Sequence, residues 1–226
     1  MPIVKNKKTA FYILITYIIM QLSGAVLLQP LYTFYKGQHP TWTHDKLALH
    51  TQGWYMFFSM LLALIVSILF IARDKQFFDN FKEKMPLPQA ILWGIIGFVM
   101  VLAGQMIGGM IESLLGISGS SENTTSLLGI TDVVPIAILA IALFGPILEE
   151  LLFRRVIFGS LYQGTSFWVA ALISSLFFAL MHFDFVHILL YAITGFVMAF
   201  LYTKTGRIIT PMIAHILLNT FVTFTQ

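Results

Sequence analysis

Seven long apolar runs divide this chain, at residues 10–31, 54–72, 90–115, 134–161, 167–182, 186–203 and 208–224. A helix crosses the hydrocarbon of a bilayer with about 20 mostly apolar residues, in a range of about 17–25. The third and fourth runs exceed that length and can tilt or break, and the fifth is slightly short. Gly145 and Pro146 interrupt the fourth, which is tolerated where neighbouring helices satisfy the freed carbonyl. Only 10% of the 226 residues are charged and 58% are hydrophobic, with mean hydropathy +0.86. A soluble domain carries about 25% charged residues, so too little polar side chain is present here to cover a water-facing surface. The expected fold class is all-α, a polytopic transmembrane bundle of about seven spans, with eight as the alternative count.

A soluble enzyme, a disordered chain and a free nucleic-acid binder are excluded on the same grounds. Zero cysteines exclude disulfide scaffolds, thiol nucleophiles and thiolate metal sites. The net charge of +3 matters less than its distribution. Lys5, Lys7, Lys8, Arg73, Lys75, Lys82, Lys84, Lys204 and Arg207 fall at one end of the alternating runs, with Arg154 and Arg155 toward it, whereas Lys36 and Lys46 fall at the other. Connection 118–132 has no Lys or Arg. By the positive-inside rule the N-terminus is cytoplasmic, in a multi-pass integral membrane protein.

The first run exceeds the 7–15 residues or so of a signal-peptide core and is read as a retained helix. Residues 74–88 carry Phe77, Phe78 and Phe81 among charges, which suits either an interfacial amphipathic segment or an ordinary basic loop. Gly104 and Gly108 form a G-x-x-x-G suited to close helix packing. No repeat or soluble segment appears, so residues 1–226 are read as one membrane domain.

Ionisable side chains inside a bilayer cost at least about 2.5–3.5 kcal/mol each at its centre, and usually mark function. Gln21, Gln105 and Glu112 are nearly all that the first three runs hold, while Glu149, Glu150, Arg154, Arg155, His182, His187, His215 and Asn219 lie in the later ones. On a helix Glu150 and Arg154 share a face in the favourable order. Glu149 projects about 100° away, so one acid can be paired while the other faces a cavity. A salt-bridge cluster at the cytoplasmic rim explains the same segment as well. His182 ends an apolar run, as an interfacial histidine would, and His215 lies one turn from Asn219, as helix-joining polar residues do. His187 completes no H-E-x-x-H.

At about 1.5 Å per residue, Glu149 and Glu150 stand about 16–18 Å from residue 161, His182 about 23 Å from residue 167, and His215 and Asn219 about 10–17 Å from residue 208. They converge near mid-bilayer only if the fourth helix continues to residue 161. Converged, a carboxylate and a histidine around one water make a general base, and a second histidine with an asparagine can stabilise an oxyanion. Glu149, His182 and His215 are also a candidate zinc set.

Glu149-Glu150-x-x-x-Arg154, then Phe178-x-x-x-His182, then His215-x-x-x-Asn219 resembles the CPBP family, the CAAX protease and bacteriocin-processing (Abi) intramembrane proteases. The likeness covers residues 134–224. It implies an all-helical intramembrane endopeptidase in which Glu149 and His182 activate water and His215 and Asn219 form the oxyanion site. Glu150 and Arg154 would brace the helix and Phe178 would pack beside His182. Both metalloprotease and metal-free glutamate-dependent mechanisms attach to the family, and the favoured reading requires no cofactor, with zinc the alternative. The resemblance to the family's bacterial type implies a bacterial plasma membrane as the location, with lipid and a membrane-associated peptide of the pheromone or bacteriocin type as partners, and no nucleic acid. The competing reading is a non-catalytic bacteriocin-immunity or scaffold membrane protein. A transporter is disfavoured because no inverted repeat is visible.

Overall fold

The computed structural model describes residues 7–119 and 121–225. Lys5, counted above with the basic end, lies outside the described residues. Among the described residues eight helical segments follow one another: α1 (Lys7–Gln38), α2 (His44–Ala72), α3 (Leu87–Leu114), α4 (Glu122–Val133), the composite α5 (Pro135–Leu161), α6 (Phe167–Leu180), α7 (Ile188–Thr205) and α8 (Ile209–Thr225). Among the described residues there is no strand. α1, α2, α3, α5 and α7 are long and apolar enough to cross a bilayer, and α6 and α8 are shorter apolar helices of 14 and 17 residues. The protein is a polytopic helical bundle.

The seven apolar runs thus each become a helix, with one addition. Connection 118–132 contains α4, whose Ser121 Oγ accepts a hydrogen bond from the Thr124 amide at 3.1 Å and so caps an otherwise unsatisfied donor. α6 ends at Leu180, two residues before the end expected from sequence, and turns at Met181 and His182. At about 1.5 Å per residue α6 is roughly 21 Å long, well short of the ~30 Å hydrocarbon slab.

α5 runs through to Leu161, as convergence requires, but not as a regular α-helix. Ala140–Phe144 and Glu150–Phe158 adopt π-helical hydrogen bonding on either side of the α-helical Gly145–Glu149. The Gly145 amide donates to the Ala140 carbonyl, five residues back. Pro146 has no amide to offer and its ring crowds the preceding turn, and the widened turn ahead of it makes room. π-turns of this kind occur often at functional sites.

Packing sorts the helices into a lipid-facing wall and an inner post. In α1, Ile13, Tyr17 and Met20 pack inward on Leu148, Leu152 and Phe153 of α5, while Leu22 and Val26 stay exposed as lipid-facing side chains. α1 is tied to α2 by the Tyr55 hydroxyl, which donates to the Met20 carbonyl at 2.8 Å. On α3, Gly104 faces Ile193 and Gly108 faces Leu190 and Ile193 of α7, so closely that a methyl at either would meet a neighbour within 2.7 Å. The G-x-x-x-G is a packing device, as its spacing suggests.

Segment 74–88 is a loop up to residue 86, after which α3 begins, and not an amphipathic helix. It is no ordinary surface loop, since Phe77 is fully buried in the core. Arg155 Nε donates to the Phe77 carbonyl and the guanidinium covers the Phe77 ring, 4.2 Å from its centroid. Phe81 packs edge-on to Tyr202 at 5.0 Å. Gly206, at φ +65°, ends α7 in the left-handed conformation that a residue without Cβ adopts freely.

Candidate active site

Glu149 and Glu150 occupy the point where the α-helical part of α5 gives way to the second π stretch. Adjacent on the helix, they diverge as the 100° step requires. Glu150 is fully enclosed. Its Oε2 lies 3.1 Å from Arg154 Nε and its Oε1 2.8 Å from His215 Nδ1. Glu149 is partly open, its side chain 18% exposed, and its Oε2 stands 3.6 Å from His215 Nε2. One imidazole therefore bridges the two carboxylates, bonded to the buried one and facing the open one.

Arg154 and Arg155 are fully buried. Neither guanidinium is presented to the outside of the bundle, as a residue that merely ends a span would be. That of Arg154 lies over the Phe178 ring, 4.6 Å from the centroid, a favourable cation–π position. Phe178 is itself a hub. His182 is tilted against it at 4.6 Å between centroids, and His215 meets it edge-on at 5.7 Å.

His182 Nδ1 lies 2.8 Å from the Phe178 carbonyl. A carbonyl only accepts, so Nδ1 carries the proton and a neutral ring leaves Nε2 as the basic nitrogen. Asn219 donates from Nδ2 to the Ile141 carbonyl at 3.0 Å, within the first π stretch. Glu149, Phe178, His182, His215 and Asn219 all line one cavity of about 590 Å³, a size typical of ligand pockets. It reaches from mid-bundle to the connection between α3 and α4.

Glu149, His182 and His215 share the cavity, yet among the described residues no three His, Asp or Glu side chains are grouped to hold a metal ion.

Sequence reasoning assigned the chemistry to the later helices and missed much of the chamber wall. Gln21, Gln105 and Glu112 also line it. They were visible as polar residues in apolar helices, which was the available signal. His187, set aside for lacking a zinc motif, bonds Glu112. Tyr191 had no signal at all. Its ring stacks on His182 with centroids 4.1 Å apart, and its hydroxyl is 3.0 Å from Ser121 Oγ and accepts from Asn123 Nδ2 at 3.2 Å, so α4 is tied to the histidine.

Residues 131–221 match the family model described as Type II CAAX prenyl endopeptidase Rce1-like. A Bacillus subtilis (strain 168) protein named membrane peptidase YdiL is 42% identical over 97% of this chain and 90% of its own length. A Staphylococcus aureus (strain USA300) protein named membrane-embedded CAAX protease MroQ is 37% identical over 63% of this chain and 61% of its own. No solved structure matches. Buried charge on three packed helices and likeness along nearly the whole chain lead to one conclusion: the protein belongs to the Rce1-like CAAX protease family of membrane peptidases.

Proposed function

We propose that the protein is an intramembrane endopeptidase that hydrolyses a peptide bond of a membrane-associated peptide, using water activated by Glu149 and His182. The observation that carries this reading is the unequal treatment of two adjacent acids. Glu150 is consumed by Arg154 and His215, whereas Glu149 has its carboxylate in an open chamber. A charge left facing a cavity inside a membrane is costly and is retained for work.

In this reading a water between Glu149 and His182 Nε2 gives up a proton as its oxygen attacks the scissile carbonyl carbon. Negative charge develops on the carbonyl oxygen. His215 holds its Nδ1–H to Glu150 and so keeps its ring beside the oxyanion, to which the second amide hydrogen of Asn219 is donated. Collapse expels the amine, which takes the proton first removed from water. Arg154 balances Glu150 so that His215 keeps its orientation. No step uses a metal ion.

For the substrate class we favour a peptide pheromone or bacteriocin precursor in a bacterial plasma membrane, the two relatives above being bacterial. With the basic end cytoplasmic, the chamber faces the extracytoplasmic half. The test is cleavage of membrane-associated peptides by the protein in lipid vesicles, followed by peptidomics of membranes carrying wild type or Glu149→Ala. Peptides that accumulate only with the variant identify the substrate. Wild-type turnover in Glu149→Ala removes that residue as the base, and biological activity that persists in Glu149→Ala, His182→Ala and His215→Ala alike favours a non-catalytic immunity or scaffold role.

A further inference from the structure

The chamber contains a second acid–imidazole pair that the mechanism above does not use. Glu112, in the last turn of α3, and His187, just before α7, are 75 residues apart in sequence, and Oε2 lies 2.8 Å from Nδ1. Both side chains are nine-tenths or more buried and both line the cavity that Glu149 lines. The other oxygen of Glu112, Oε1, is enclosed with no hydrogen-bond partner. Nearby polar groups already have partners among themselves, since Gln105 Nε2 donates to Thr194 Oγ1 at 3.2 Å and Tyr191 is held by Ser121 and Asn123.

The charge balance of the lining points the same way. Among the described residues around the chamber, two are carboxylates, Glu112 and Glu149, and none is Lys or Arg. Glu150 has an arginine to neutralise it, whereas Glu112 has an imidazole only. A buried carboxyl oxygen left without a hydrogen-bond partner is costly, and a donor that brings positive charge offsets that cost. A positively charged ligand group drawn up to this carboxylate would offset that cost, and a negatively charged one would meet two acids.

Building on the peptidase reading, we propose that Glu112, oriented by His187, is a subsite for a cationic group of the substrate peptide, bound while Glu149 acts on the scissile bond. The group is an ammonium or guanidinium, from a Lys or Arg side chain or a free α-amino terminus. The acid then sets specificity and binding and takes no part in proton transfer.

The experiment uses the full chain in phosphatidylcholine vesicles, which carry no net charge to recruit basic peptides. Quenched-fluorescent peptides place Lys, norleucine or Glu at each position around the cleaved bond, with free and acetylated N-termini as separate arms. The expected result is a preference of tenfold or more in kcat/KM for Lys over norleucine at one position, or for the free over the acetylated terminus. That ratio should fall to about one in Glu112→Gln and survive in Glu112→Asp. A wild type that cleaves norleucine or Glu peptides as fast as Lys peptides overturns the proposal without any variant, as does a Glu112→Gln protein that keeps the preference. Binding of the same peptides to Glu149→Gln, read by fluorescence anisotropy, needs no turnover. Charge-dependent binding lost on adding Glu112→Gln supports the subsite even if no peptide is cleaved, in which case the peptidase reading fails alone. Cleavage without charge preference fails the subsite alone.

Discussion

α5 and α2 are both long apolar helices, yet they live in different solvents. Over their most apolar stretch 56% of α5 is buried inside the protein, against 17% of α2. α2 meets lipid with Phe58, Leu62 and Leu69, while α5 is wrapped by α1, α2, α6 and α8 and encloses two arginines and a glutamate. Hydropathy alone scores the two alike. What separates them is that α5 carries groups a bilayer would reject, so other helices must surround it. Burial in this protein follows charge rather than apolarity.

Several substitutions break or sharpen that contrast. The largest effect is expected at the paired acids. Glu149→Gln should lower cleavage by about 10³-fold or more, within the reach of a lost general base, and leave thermal unfolding in detergent near that of wild type. Glu150→Gln should instead lose about 3–5 kcal/mol of stability, because it strands the Arg154 guanidinium in the core. Equal stability losses in both would erase the distinction between open and enclosed acid. Next comes apolar packing: Phe153→Ala, which empties a site in the core of α5, should cost about 3–5 kcal/mol. Leu62→Ala on α2 should stay within about 0.5 kcal/mol, as chemical unfolding in mixed micelles would register.

A smaller effect is expected on α3, where Gly104→Ala drives a methyl against Ile193 and should cost about 1–3 kcal/mol, while Gly109→Ala meets open space and should be silent. Parallel melting curves for the two variants would decide it. Smallest is Tyr191→Phe, which keeps the ring stacked on His182 but loses the hydroxyl contacts to α4, about 0.5–1.5 kcal/mol in all. A fall of severalfold in kcat beside that small drop in the unfolding midpoint would show that α4 helps to hold the histidine.

The helices were legible because bilayer length and apolar periodicity are local properties, and the helix step alone separated Glu149 from Glu150. The i,i+4 spacing likewise announced the Glu150–Arg154 pair. Depth was partly legible too, since counting residues put His182 and Glu149 at compatible levels. The remaining features depend on contacts distant in sequence. Arg155 reads as a rim charge until Phe77 folds back onto it, and Glu112 reads as a stray acid until His187 arrives from the far side of α6. The π stretches leave no mark that Gly145 and Pro146 do not already share with a simple kink. Tyr191 looks like any aromatic residue of a membrane helix, because its partners lie in α4 and in the turn after α6.

The two wide-turn stretches of α5 also constrain how the gene can change. Each is held open by a side chain from another helix, Asn219 on the Ile141 carbonyl and Ser174 on the Phe153 carbonyl at 2.8 Å. Removing one residue from the α-helical Gly145–Glu149 between them would turn everything beyond it by about 100°, swinging an acid out of the chamber or an arginine toward lipid. Substitution at many α5 positions can be absorbed by repacking, but a change of length cannot. Among homologues aligned through this helix, gaps should therefore collect in the connections before residue 135 and after residue 161, and spare the turns between.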